Sequence, residues 1–263
     1  MNKLDKLFQT KNESVLNVYF TAGYPSLTDT NRILTSLDNH EVDIIEIGIP
    51  YSDPLADGPT IQASSAQALD NGMTLDVLFE QIARQTPLKH SALVLMGYYN
   101  QVLQYGAENF FRKCKEVGVS GLILPDLPLH EYESVYKNLF EELDLGISFL
   151  MTPQTSNDRI IEIDRLTRGF IYMVSSASIT GTSTGISQNQ VEYFERVNSL
   201  PLTNPRLIGF GISDFKSFNT ACQYSQGAII GSAFIRALQS GDKLESSIRT
   251  FIQNIKVDSP KPI

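Results

Sequence analysis

An α/β fold closed into a single (β/α)8 barrel, the TIM-barrel architecture with one extra N-terminal helix, is the class that this sequence predicts, on three observations. Eight short apolar runs recur along the chain, helically spaced segments separate them, and the 263 residues match the length of one barrel. Two smaller domains would also fit this length and the hydrophobic content of 42%, and an open doubly wound sheet would alternate in the same way. The count of eight favours the barrel. With no linker or low-complexity segment, residues 1–263 read as one domain.

Taken in order, a short amphipathic helix over 3–8 precedes a first strand over 15–21. The remaining strands are predicted over 42–49, 92–96, 121–124, 147–151, 170–174, 206–210 and 228–230, where β-branched and other apolar residues are bounded by Gly, Pro or polar residues. Between them the helical period appears over 30–38 (Ile33, Leu34, Leu37), 75–84 (Leu75, Leu78, Phe79, Ile82) and 107–117 (Phe110, Phe111, Cys114, Val117). It returns over 131–143, 158–166, 189–197, 215–224 and 244–255. Ser26-Leu27-Thr28-Asp29 resembles a capping box, and Thr74 and Asn157-Asp158 stand where helices begin. The longest interval between strands, from the second to the third, holds a proline-rich loop over 50–59 and an additional helix over 61–69.

Composition excludes several function classes. A net charge of -8 and a pI near 4.9, with no Lys/Arg cluster, argue against nucleic-acid and membrane surfaces. The two cysteines, Cys114 and Cys222, are far apart and imply free thiols of a reducing compartment. His40, His90 and His130 are isolated, which disfavours a His-based metal site or triad. With no apolar targeting segment, the expectation is a soluble, cytoplasmic protein.

The chemistry concentrates in one stretch, Glu46-Ile47-Gly48-Ile49-Pro50-Tyr51-Ser52-Asp53-Pro54-Leu55-Ala56-Asp57-Gly58-Pro59-Thr60-Ile61-Gln62. Strand alternation puts Val42, Ile44, Glu46 and Gly48 on one face, so Glu46 shares its surroundings with small and apolar groups. A carboxyl buried there keeps its proton to higher pH, which suits an acid or base working near neutrality. Eleven positions on, Asp57 lies in a stiff segment that can fold back over the strand mouth. A core Glu paired with a cation and an ordinary Asp-Gly turn remain the structural alternatives.

Three glycine-containing segments follow the predicted sixth, seventh and eighth strands: Ser178-Ile179-Thr180-Gly181-Thr182-Ser183-Thr184-Gly185, Gly209-Phe210-Gly211-Ile212-Ser213 and Ile230-Gly231-Ser232-Ala233. Glycines bring backbone N–H groups close to an anion, and a helix starting at Ser232 adds its positive end, so these loops form a candidate phosphate cradle. Taken singly, each glycine can equally be a strand end or a turn. The Ser/Thr/Gly-rich run over 176–187 has the composition of a lid.

The long stretch from Glu46 to Gln62 closely resembles the signature of the tryptophan synthase alpha subunit family. Supporting matches are Phe20-Thr21-Ala22-Gly23-Tyr24-Pro25, Leu95-Met96-Gly97-Tyr98-Tyr99-Asn100, Leu124-Pro125-Asp126-Leu127-Pro128, Ile179-Thr180-Gly181 and Gly209-Phe210-Gly211-Ile212-Ser213. The resemblance runs end to end. It implies a barrel that cleaves indole-3-glycerol phosphate reversibly to indole and glyceraldehyde 3-phosphate, without a cofactor. It also implies roles. Glu46 is the acid/base and Asp57 accepts from the indole N–H. Tyr19, Met96 and Ile123 surround the indole, Tyr98 is a further substrate-binding residue, and Tyr172 stands beside Glu46. The phosphate falls to Thr180, Gly181, Gly211, Gly231 and Ser232.

The implied partner is the beta subunit, a pyridoxal-phosphate enzyme, in an α2β2 assembly. Loop 50–59 and the lid are expected to face it, with Asp53 as a contact. Two segments depart from the family pattern: Ser175-Ser176-Ala177-Ser178 replaces a run that often holds glycine, and Tyr51 replaces a phenylalanine. A stand-alone lyase releasing free indole shares every site residue, and a phosphosugar isomerase shares the fold. A catalytically inactive regulatory subunit would not need both Glu46 and Asp57.

Overall fold

The computed structural model describes residues 1–55, 57–175, 187–209, 211–239 and 243–257. Its strands are β1 (Val15–Thr21), β2 (Ile44–Gly48), β3 (Ala92–Met96), β4 (Gly121–Ile123), β5 (Gly146–Ser148), β6 (Leu150–Met151), β7 (Ile171–Val174), β8 (Arg206–Gly209) and β9 (Gly227–Ile230). All are parallel to their neighbours, in the order β5-β4-β3-β2-β1-β9-β8-β7-β6. The two ends of that order are successive pieces of one run, separated only by Phe149, so the sheet closes into a barrel of eight strand positions. The fifth predicted strand is therefore divided. Phe149 turns its carbonyl to the Tyr172 N–H at 2.9 Å while Ile147 pairs antiparallel with Arg168, and the change of partner breaks the ladder.

Alternation sorts the strand residues between two cores. Leu16, Val18, Phe20, Ile45, Ile47, Leu93 and Leu95 pack outward against the helices. Inside the barrel lie Val15, Ile44, Val94, Ile123, Phe170, Tyr172, Leu207 and Ile229. The first helix, α1 (Lys3–Thr10), stoppers the barrel at the N-terminal ends of its strands. Asn2 caps it in a capping box, and the same side chain donates to the carbonyls of Ser120 and Asp144. Leu4 enters the barrel and is 1% exposed, a burial worth roughly 1.5–3 kcal/mol. Gly169 makes room for it, since a Cβ there would sit 2.6 Å from Leu4 Cδ2. The Arg168 guanidinium ties the plug down by pairing with Asp5 and Asp144.

Most helices follow the predicted spacing, with a few differences of physical interest. Thr74 caps the helix Leu75–Arg84 by accepting from Val77 N–H, as its position suggests. The expected capping box before Asp29–Asn39 is absent: Thr28 makes no side-chain cap. Ser156 caps the helix Asn157–Leu166, one residue ahead of the expected pair. The helix predicted over 131–143 contains a wide turn, Tyr132–Tyr136, and an unpredicted short helix, Tyr99–Tyr105, follows β3. No described helix is long and apolar enough to cross a membrane. No cluster of potential metal ligands occurs among the described residues. Cys114 is buried, Cys222 half-buried, and both are free.

Candidate active site at the strand mouth

Glu46 occupies the middle of β2, paired in register with Tyr19 on β1 and Val94 on β3. Its carboxyl is 1% exposed and points into the barrel, where alternation places it with Ile44 and Gly48. Oε2 accepts from the Asn17 side-chain amide at 2.7 Å, while Oε1 has no partner among the described residues. Burial is the main influence on its ionisation and raises the pKa to about 8; the nearby Asp57 adds to this, and the Asn17 amide opposes it. This group differs from the structural acids of the same fold. Asp38 accepts from the backbone N–H groups of Lys89, His90 and Ser91, and Asp164 from those of Thr203 and Asn204.

Asp57 is brought over the mouth by the loop after β2. Gln62, in the helix Pro59–Asp70, donates to the Asp57 carbonyl at 2.8 Å, and Asp57 N–H donates back to Pro54 O at 3.0 Å. Gln101 secures the other end of the loop through Pro50 O while accepting from Tyr98 N–H. The Tyr98 hydroxyl then donates to Asp57 Oδ2 at 3.0 Å. Burial raises the Asp57 pKa from its ordinary value, and the Tyr98 hydroxyl moderates the rise. Tyr51 stacks on Tyr98 with centroids 4.9 Å apart, and Asn100 donates to the Tyr51 hydroxyl at 3.1 Å. Beneath them is a cavity of about 10 Å³, bordered by Tyr19, Asp57 and Met96. That is room for about one water.

Close approaches at glycine set the two phenols. A Cβ at Gly48 would lie 2.0 Å from the Tyr19 hydroxyl oxygen, and one at Gly209 would lie 2.4 Å from that of Tyr172. Only glycine leaves both rings in place. Burial pushes the pKa of each phenol up, with the Glu46 and Asp57 carboxylates adding to the effect, so both stay neutral. Met96 and Ile123 are neighbours in register on β3 and β4. The structure thus gathers Glu46, Asp57, Tyr19, Met96, Tyr98, Ile123 and Tyr172 at one end of the barrel.

Of the proposed phosphate groups, Gly211 follows β8 with φ +79° and open space where a Cβ would stand. Gly231 leads into the short helix Ser232–Ala237, and a Cβ there would stand 3.4 Å from Tyr19 Cδ1. Thr180, Gly181 and most of the expected lid lie outside the described residues. Sequence reasoning missed Asn17. Its signal was available: an amide in an otherwise apolar strand, on the face of Tyr19. It also missed the hydrogen bonds that join Tyr51 to Asn100 and Tyr98 to Asp57.

Residues 6–259 match the family described as tryptophan synthase alpha chain. The tryptophan synthase alpha chain of Flavobacterium psychrophilum is 52% identical over 255 residues, covering 97% of this chain and 100% of that one. That of Christiangramia forsetii is 50% identical over 256 residues, covering 97% and 99%. Among solved structures, tryptophan synthase from Mycobacterium tuberculosis superposes with a TM-score of 0.86 at 31% identity, covering 97% of this chain and 96% of that one. The tryptophan synthase A-subunit of Pyrococcus furiosus gives 0.84 at 30% identity, covering 94% and 99%. A match over nearly the whole length, relatives at half identity and a shared barrel make this chain a member of the tryptophan synthase alpha chain family.

Proposed function

We propose that this single-domain barrel cleaves indole-3-glycerol phosphate to indole and glyceraldehyde 3-phosphate, as a carbon–carbon lyase of tryptophan biosynthesis. The observation that carries the reading is Glu46: a buried acid, held at one oxygen and without a partner among the described residues at the other, with a pKa raised to about 8. Breaking the bond between indole C3 and the glycerol chain requires a proton on C3 and loss of the proton from the adjacent hydroxyl. Glu46 enters protonated, gives its proton to C3, and as the carboxylate takes the hydroxyl proton when the bond breaks. The products are indole, the aldehyde and the reprotonated acid, so protons balance over the cycle.

Asp57 accepts from the indole N–H and stabilises the positive charge of the protonated ring. Tyr19, Met96, Tyr98, Ile123 and Tyr172 enclose the indole. The loops carrying Thr180, Gly181, Gly211, Gly231 and Ser232 hold the phosphate, and that remote binding fixes the reacting end. An indole ring exceeds the 10 Å³ cavity, so the groups that line it must shift to admit the substrate. No step in this scheme calls on a cofactor.

Ionisation of the two acids sets the pH profile. Activity rises as Asp57 deprotonates and falls as Glu46 loses its proton, so kcat/KM is expected to be bell-shaped with a basic limb near pH 8. A profile still rising past pH 9 would show that Glu46 enters as the carboxylate.

The partner in this reading is a beta subunit, and tryptophan synthase of P. furiosus is solved as a complex. Loop 50–59 is the surface offered to it: Ser52, Asp53 and Leu55 are exposed, and Leu55 is 86% accessible despite being apolar. The same loop carries Asp57, so docking there acts directly on the site. A soluble, cytoplasmic location accords with this role. The deciding experiment is turnover of indole-3-glycerol phosphate by the purified chain, alone and with a beta subunit. Slow cleavage alone and a large rise with the partner support the reading. Fast cleavage without any response to the partner identifies a stand-alone lyase.

A further inference from the structure

Asn17 is fully buried in β1, two residues before Tyr19 on the face that lines the barrel. Its Nδ2 donates to Glu46 Oε2 at 2.7 Å, and its Oδ1 has no partner among the described residues. A buried amide whose carbonyl oxygen goes unpaired is costly, and an apolar residue would fill the same place without that cost. The contact it does make is to the one group on which the proposed chemistry depends.

We propose that Asn17 is a positioning residue for Glu46: its amide holds Oε2 as the fixed acceptor, so that Oε1 is the oxygen that gives up the proton and takes it back. The inference rests on the reading of Glu46 given above. In a neutral carboxyl the oxygen that accepts an N–H is the carbonyl oxygen, which leaves the proton on the other. A half-turn of the carboxyl would exchange the two, and it would also bring an O–H against the Asn17 N–H. When the proton leaves, the same amide is a donor to the carboxylate.

Among the described residues, the surroundings of Glu46 offer no positive charge. From β1 come Asn17 and Tyr19, from the loop after β2 comes Asp57, and from β7 comes Tyr172, while β3 presents Val94 and Met96. Asp57 opposes ionisation of Glu46, and the Asn17 amide favours it.

The test is steady-state kinetics of Asn17→Leu, which keeps the side-chain size and deletes the donor. The expected result is a fall in kcat of about tenfold with KM within about twofold, and a basic limb displaced upward by roughly one pH unit. Asn17→Asp should move the basic limb in the same direction, because a second acid opposes ionisation. Unchanged kcat and an unchanged limb in either folded variant would overturn the proposal.

A second measurement needs no variant at position 17 to fold. With 15N in its asparagine side chains, the wild-type protein should show the Asn17 amide resonance shifting with a midpoint near pH 8, and that shift should vanish in Glu46→Gln. A resonance that is flat across this range in the wild type equally overturns it. Failure of the wild type to cleave the substrate, or full turnover in Glu46→Gln, would instead remove the reading of the site itself.

Discussion

Glu46→Gln is expected to lower turnover of indole-3-glycerol phosphate by roughly 10²- to 10⁴-fold, the range attributed to one general acid–base group, while KM changes little. Gln keeps the size of the side chain and can still accept from Asn17, so the barrel interior is retained. It cannot deliver or recover a proton. The same substitution carries a second, opposite effect on stability. The folded pKa of Glu46 is about 8 against an ordinary value of 4.5, so between these values the folded state binds more protons than the unfolded chain. The contribution of Glu46 to stability therefore falls as pH rises through that window and is lowest above pH 8. The full difference is at most about 5 kcal/mol. Urea unfolding of wild type and Glu46→Gln at pH 6 and pH 9 checks the sign: the variant should gain on the wild type at the higher pH. Wild-type turnover in Glu46→Gln would end the acid–base assignment, and identical pH dependence of stability would show that the carboxyl is not buried as described.

Much of this site was legible in the sequence because two periods and one loop carry it. Alternation along 42–49 put Glu46 on the same face as Ile44 and Gly48, and that face is the barrel interior. The prolines around Asp57 fixed a loop that folds over the strand mouth, and the helix after it begins at Pro59. Periodicity does not record which partner a residue meets across the sheet. Asn17 contacts Glu46 across 29 positions of sequence, and the break at Phe149 follows from a carbonyl that turns to Tyr172. Apolarity marks 147–151 as a strand without saying where the ladder changes neighbour. Glycines are ambiguous for the same reason. In the sequence Gly48 is one residue of the strand over 42–49, on the face of Glu46, and only the fold reveals that it clears space for the Tyr19 hydroxyl.

Gly227→Ala should be among the most damaging single-methyl changes in the molecule, although nothing in the sequence sets this glycine apart. Gly227 opens β9 in register with Val15 of β1, and an added Cβ would fall 2.0 Å from Val15 O and 2.7 Å from its C and N. These are backbone atoms of a central strand, so no rotamer change relieves the clash and β1 itself must shift. Asn17 and Tyr19 lie two and four residues further along β1, on the face that Val15 shares. The strain therefore reaches the groups that surround Glu46. The expected cost is about 3 kcal/mol, at the upper end for overpacking, with a fall in Tm of roughly 6–12 °C and a loss of turnover beyond that explained by unfolded protein. Gly72→Ala supplies the contrast. Gly72 has φ +90° but open space where its Cβ would stand, so its cost is the left-handed backbone alone, about 1–2 kcal/mol, with turnover unchanged. Thermal unfolding and turnover measured on both variants separate the two causes. Equal losses of stability with full activity in each would mean that the approach of β9 to β1 does not govern the site, whereas a selective loss of activity in Gly227→Ala makes the register of β1 part of the catalytic geometry.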